Sequence, residues 1–308
     1  ADEKRERVII FLCGGKMVYL YLALSGILDG GVIFGAKVLS NLGASLFELM
    51  IYPNLLSVLF IAYFARCDLH KLWRIPLKMK FLFAAALFFI TLGQYTPIFL
   101  KIPVTLVVLL IYLQPVWTIL IERFYFRRRQ TLLNWFLVGC MIVGLWFLIN
   151  PSGGTELSPW GVLLAVLGGV GLSLWLIVAQ YFSRQNVSPS GTFLAASVYT
   201  LIPVFALYWI LRILPEFNGV RIFSLEMPPQ LRLYFVIYTL ASYVAPNLLL
   251  FANNRNVSPV IVGMLLLLEP VTGLFLDWMF LGKPLTWNIL LGGAIILISN
   301  AVLIRTQE

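Results

Sequence analysis

The chain has 308 residues, 61% of them hydrophobic and only 11% charged, with a formal net charge of +9. The charged residues fall in short stretches between long apolar runs, which excludes a soluble globular domain and marks a chain dissolved in lipid. The positive charge does not indicate a nucleic-acid binder, because the basic residues lie at the ends of apolar runs rather than on one soluble face with interleaved aromatics.

A helix crosses the hydrocarbon core with about 20 apolar residues. The sequence predicts ten such spans in chain order: 17–39, 45–65, 79–99, 104–123, 131–150, 159–182, 191–212, 231–252, 258–281 and 285–304. Between them lie a tail (1–16) and loops that are too short to bury a core of their own, so function must sit among the helices. The expected fold class is an all-α membrane protein. With the N-terminus in the cytoplasm, sixteen of the 22 Lys and Arg residues fall on the cytoplasmic side, which sets the orientation and returns the C-terminus there as well. The apolar stretch at residues 8–13 is short and the next is long enough to stay in the membrane, so the first helix is expected to be an uncleaved anchor. Short loops suit a bacterial or archaeal cytoplasmic membrane. Cys13, Cys67 and Cys140 fall on the cytoplasmic side or within a span, and reduced thiols are expected.

The fourth and ninth spans share a pattern. Leu113-Gln114-Pro115-Val116 matches Leu268-Glu269-Pro270-Val271; an acid follows eight residues after the Gln or Glu (Glu122, Asp277), and then a Thr (Thr131, Thr286). This reads as a duplication into two five-span halves, 17–150 and 159–304. An odd number of spans per half gives the halves opposite orientations, an architecture used for alternating access.

On these residues, with the turns "RRRQT" and "GKPLT" and the glycines Gly139, Gly144, Gly292 and Gly293 that follow, the chain resembles the EamA branch of the drug/metabolite transporter superfamily. Both halves depart from the family's turn glutamate, with Arg128 and Lys283 near that place. The resemblance implies ten transmembrane helices as two inverted five-helix repeats around a central cavity, and secondary transport of a small metabolite.

Within the predicted spans the mid-depth ionisable groups are acidic only. Glu269 and Asp29 lie near the middle of their spans, where a charged Asp costs about 2.5–3.5 kcal/mol. Either the carboxyls hold protons or a cation sits beside them. Glu269 has a second reading, as a structural partner for backbone freed by Pro270, and Gln114 before Pro115 has the same one. Gly26, Gly30 and Gly31 flank Asp29 and admit water or a neighbouring backbone. Gln94, Tyr95, Gln114, Trp175, Tyr243 and Asn247 are further mid-depth groups suited to a substrate, with the aromatics favouring an organic cation. Glu48, Glu122 and Asp277 lie near helix ends, where interface contacts account for them. Pro97, Pro115, Pro203, Pro246 and Pro270 are candidate kinks. The stripe Ala165, Gly169, Ser173 favours close helix contact.

Cys67 and His70 lack the further ligands of a zinc site, and no phosphate-binding glycine loop is present, so neither metal nor cofactor is expected. Ser188 and Ser258 precede prolines and read as helix starts. The expected activity is secondary active transport of an organic cation, an amino acid or a related amphipathic compound, with proton coupling as one option. A nucleotide-sugar-type exchanger of the same superfamily, a membrane-embedded enzyme and a scaffold are the alternatives. The expected partners are a small molecule, protons and the lipid bilayer, with the chain as a monomer or a homodimer.

Overall fold

The structure is a computed structural model that describes residues 16–66, 69–99, 104–124, 127, 130–149, 159–213, 228–282 and 286–306. All regular structure among these residues is helical: α1 (Lys16–Asn41), α2 (Leu46–Ala65), α3 (Leu69–Arg74), α4 (Leu77–Phe99), α5 (Val104–Ile111), α6 (Gln114–Phe124), α7 (Leu132–Ile149), α8 (Pro159–Arg184), α9 (Pro189–Ile213), α10 (Pro229–Tyr238), α11 (Ala245–Asn253), α12 (Pro259–Leu266), α13 (Leu268–Leu281) and α14 (Trp287–Thr306). Among the described residues, eight stretches are long and apolar enough to cross a membrane, against the ten spans expected. Of the other two, the predicted fourth span is divided into α5 and α6, and Leu132–Phe147 is a shorter apolar helix.

The divisions follow from backbone chemistry. Pro115 and Pro270 have no N–H and crowd the preceding turn, so α5 stops at Ile111 before α6, and α12 at Leu266 before α13. Pro246 does the same in milder form: α10 runs through a π-helical turn, Thr239–Val244, into α11 without a break in the rod. Pro203 lies within α9, and Pro53, which was not among the expected kinks, within α2. The Pro97 side chain lies outside those described. Ser258 caps α12 by accepting from the Val260 N–H at 3.3 Å, and Ser188 accepts from Gly191 N–H at 3.1 Å, as their positions before proline predicted.

Helices of the two halves interleave. α1 packs on α11 through α13, α2 on α9, α4 on α8, α5 and α6 on α8, and α7 on α14. Small residues set the closest approaches. A Cβ at Gly26 would lie 2.7 Å from the Leu265 carbonyl oxygen, and one at Gly30 would lie 2.8 Å from that of Glu269, so α1 lays its glycine face on the α12–α13 break. Gly169 of α8 stands likewise against the carbonyls of Leu110 and Ile111 at the α5 end, each 3.0 Å from an added Cβ. Ala165 and Ser173, the rest of that stripe, are fully buried. The main core gathers Phe83, Phe182, Phe251, Leu176 and Met264 with the wholly buried α12.

Three acids require a correction. Glu48, Glu122 and Asp277 were assigned to the membrane interface by their places near helix ends, yet they are 3%, 2% and 1% exposed. Glu48 closes a capping box with Ser45, accepting from the Ser45 N–H at 2.8 Å. Asp277 accepts from the Lys37 ammonium on α1, and Glu122 from Gln130 and from the Ser258 hydroxyl at 3.3 Å. Sequence position near an end does not determine which face a residue takes, and here these faces point into the bundle.

At Gly93 an added Cβ would stand 2.7 Å from the backbone of α8, whereas at Gly139 it meets nothing within 4 Å. Gly93→Leu is expected to cost about 1–3 kcal/mol through overpacking. Gly139→Leu should stay within about 0.5 kcal/mol of wild type, as surface changes do. Thermal melts of both variants in detergent micelles check the difference.

Candidate functional site

A cavity of about 190 Å³ opens between the halves, lined from α1, α2, α4, the α5–α6 break, α8, α9, the π turn, α11 and the α12–α13 break. Glu269, Asp29, Gln114, Gln94, Trp175, Tyr243 and Asn247, drawn from seven separate segments, all line it. Tyr95 was expected beside them, and its side chain lies outside those described. Tyr199, another mid-depth aromatic, faces away and packs on Phe83 with ring centroids 6.1 Å apart.

The carboxyl end of the cavity is built by the close approach of α1 to the α12–α13 break. Gly30 brings the α1 backbone onto Glu269, and so Asp29, the next residue, stands at the same depth as the Glu269 side chain. Tyr112, in the α5–α6 break, lies beside the Glu269 carboxyl, and Asp29 is close enough to interact electrostatically with both. No Lys, Arg or His is among the described residues that line the cavity. Lys37 is a described cation on α1, and it is held at the Asp277 carboxylate.

Gln114 does not share this carboxyl environment. Its side-chain amide donates to Thr118 Oγ1 at 2.7 Å, and its backbone carbonyl, at the start of α6, accepts from Thr118 Oγ1 at 3.0 Å and from Ser173 Oγ at 2.9 Å. Gly263 of α12 lies flat against the same side chain. The Gln114 side chain is thus engaged one turn along its own helix, whereas the Glu269 carboxyl lies by Tyr112 and Asp29.

Along the rest of the wall, polar side chains spend their donors on their own helices. Asn54 Nδ2 donates to Met50 O at 2.8 Å, Thr91 to Leu87 O at 2.8 Å, Thr200 to Ala196 O at 2.9 Å and Asn247 Nδ2 to Tyr243 O at 2.9 Å. Among the described cavity-lining residues, two buried groups have no hydrogen-bond partner, the Trp175 indole N–H and the Ser197 hydroxyl. Toward the α8–α9 turn the cavity is closed by aromatic rings: Trp175 on Phe251 at 5.5 Å, Phe251 on Phe193 at 6.4 Å, and Phe83 on Phe182 at 5.0 Å.

Among known families, the model of the EamA-like transporter family matches residues 159–305, which contain Glu269, the α12–α13 break and the glycine pair of α14. The second half of the chain is thus similar to the EamA-like transporter family. That family is part of the drug/metabolite transporter superfamily, and with its long apolar helices the chain is an integral, multi-pass membrane protein. No curated protein matches the sequence. Solved structures do: one, described as a crystal structure of a protein, aligns over 95% of this chain and 99% of its own with a TM-score of 0.72 at 18% identity, a likeness that establishes the fold.

Sequence reasoning missed Tyr112, Asn54, Ser197 and Thr200. Tyr112 had a signal, being the last aromatic before the Leu113-Gln114-Pro115 tetrad, where a helix break turns its ring inward. Asn54 follows Pro53 in mid-span, an amide at a depth where amides need a reason. Ser197 and Thr200 are ordinary helix residues in sequence, and only the rotation of α9 places them on the wall.

If the EamA-type cavity is wet, a thiol there reacts with polar reagents. In a chain carrying Cys13→Ser, Cys67→Ser and Cys140→Ser, Thr200→Cys is expected to be modified by a charged maleimide in the native protein. Val178→Cys, at a fully buried position, should react only after denaturation. Mass spectrometry of both reads the outcome, and equal protection would mean a cavity closed to water.

Proposed function

We propose that this chain is a secondary active transporter with ten transmembrane helices arranged as two inverted five-helix repeats, and that its cargo is a small organic cation or zwitterion. The reading rests on one observation above the others: two carboxyls from opposite halves, Asp29 and Glu269, are close enough to interact electrostatically in a cavity without a described basic residue, with Tyr112 beside Glu269. Two such groups repel when both are ionised in a low dielectric, so the pair holds a proton or a cation between them. A cargo ammonium and a proton then compete for one place, which is the chemical basis of exchange. The alternate occupants require the cavity to face each side in turn.

The packing pattern supports the repeat. Exchanging the halves turns the contact of α1 with the α12–α13 break into that of α8 with the α5–α6 break. It turns the contact of α1 with α10–α11 into that of α8 with α4, and it leaves α2 with α9 and α7 with α14 unchanged. The two buried acids eight residues beyond Gln114 and Glu269 fall near opposite ends of the bundle: Glu122 by the start of α12, Asp277 by the end of α1. An anionic cargo such as a nucleotide sugar would be repelled by the carboxyl pair, and the residues of an enzyme's nucleophile and base are not assembled in the cavity. The Trp175 N–H and the Ser197 hydroxyl suit an acceptor on the cargo's far end, which favours a zwitterion such as an amino acid within the cation class.

Liposomes holding the purified protein and an internal pH dye test this with a panel of organic cations and neutral amino acids. The wild type is expected to move at least one of them with an accompanying pH change. Glu269→Gln, which keeps the shape and loses the charge, is expected to abolish that pH change while leaving cargo exchange measurable. Identical pH traces for the two proteins with every cargo moved would assign Glu269 to structure and remove it from coupling.

A further inference from the structure

A second cavity, of about 320 Å³, lies outside the transport path, and none of its lining residues lines the central one. It sits between the short helix α3, the start of α4 and the outer face of α9. α9 divides its faces: Phe193, Ala196, Ser197 and Thr200 look into the central cavity, while Leu194, Ala195, Val198 and Tyr199 form the wall of this groove. Phe182 of α8 forms its floor, Leu69 and Leu72 of α3 one side, and Lys80 with Trp73 its rim. Lys80 donates to the Trp73 carbonyl at 3.1 Å and stands 5.5 Å from the centre of the Trp73 ring.

The surroundings identify what fills such a groove. Trp73, Leu77 and Phe81, four residues apart, are 82%, 80% and 75% exposed, which no water-facing surface would favour and which a bilayer interface does. Between residues 66 and 80 the chain carries Arg66, Lys71, Arg74, Lys78 and Lys80 against one acid, Asp68. An apolar slot beside a membrane-interface tryptophan, with an ammonium at its mouth within a basic segment, fits one acyl chain joined to a negatively charged headgroup. We propose that this groove is a binding site for an anionic phospholipid, with the acyl chain along Leu194, Ala195 and Val198 and the phosphate at Lys80. The lipid then rests on the back of the helix whose other face lines the transport cavity, and so it fastens α3 and α4 to α9.

The full chain, purified and delipidated, is to be examined by native mass spectrometry with equimolar phosphatidylglycerol and phosphatidylcholine of the same acyl chains. A phosphatidylglycerol adduct is expected to dominate. Lys80→Gln should weaken it about fivefold, the worth of one lysine at a charged lipid surface. Ala195→Phe, which fills the slot, should displace both lipids, and Lys78→Gln, outside the groove, should change little. Size exclusion of each variant establishes that it is folded. Excess glycerol phosphate is expected to leave the adduct in place, since it brings no chain. Equal binding of the two lipids, equal loss in Lys78→Gln and Lys80→Gln, or displacement by glycerol phosphate would each overturn the proposal.

Discussion

Lipid offers no hydrogen bonds, and that constraint governs this architecture more than any single contact. The chain breaks its helices inside the apolar zone at Pro115 and Pro270, and each break leaves carbonyls that water would otherwise satisfy. The breaks are turned inward and covered by the other half: Ser173 of α8 donates to the Gln114 carbonyl, while the glycine face of α1 closes over Leu265 and Glu269. Glycine is required at these approaches, because any Cβ at Gly26 or Gly30 would collide with backbone. The place that must be sealed against lipid is thus also the place where helices of the two halves are drawn together.

Chemistry follows from this geometry. A broken helix brings its side chains to a point rather than along a stripe, so Glu269 and Tyr112, one from each break, reach the same spot as Asp29. The same positions in the two halves have diverged in role. The Gln114 amide is engaged with Thr118 in its own helix, whereas Glu269 carries an ionisable group into the cavity. One half therefore supplies a neutral amide, and the other the titratable partner.

The acids beyond the breaks belong to the same logic. Glu122 holds Gln130 ahead of α7 and the cap of α12, and Asp277 holds Lys37 near the end of α1, so each ties elements of different halves near one end of the bundle. Buried and partnered, they join the halves at the ends while the middle stays open.

The sequence by itself determined the lipid environment, the apolar stretches, their interruptions and the likeness of residues 113–116 to 268–271. Each of these is written in local composition: hydropathy sets the length, and proline removes a donor wherever it stands. It also determined which mid-depth polar groups called for a reason, and Glu269, Asp29, Trp175 and Asn247 are together on one wall. Only the tertiary structure decided the rest. The burial of Glu48, Glu122 and Asp277, the arrival of Tyr112 at Glu269 and the separate service of the two faces of α9 all depend on how far each helix is rotated about its axis. That rotation is set by packing between residues up to some hundreds of positions apart, as with Ser25 donating to Pro246, and no local pattern carries it.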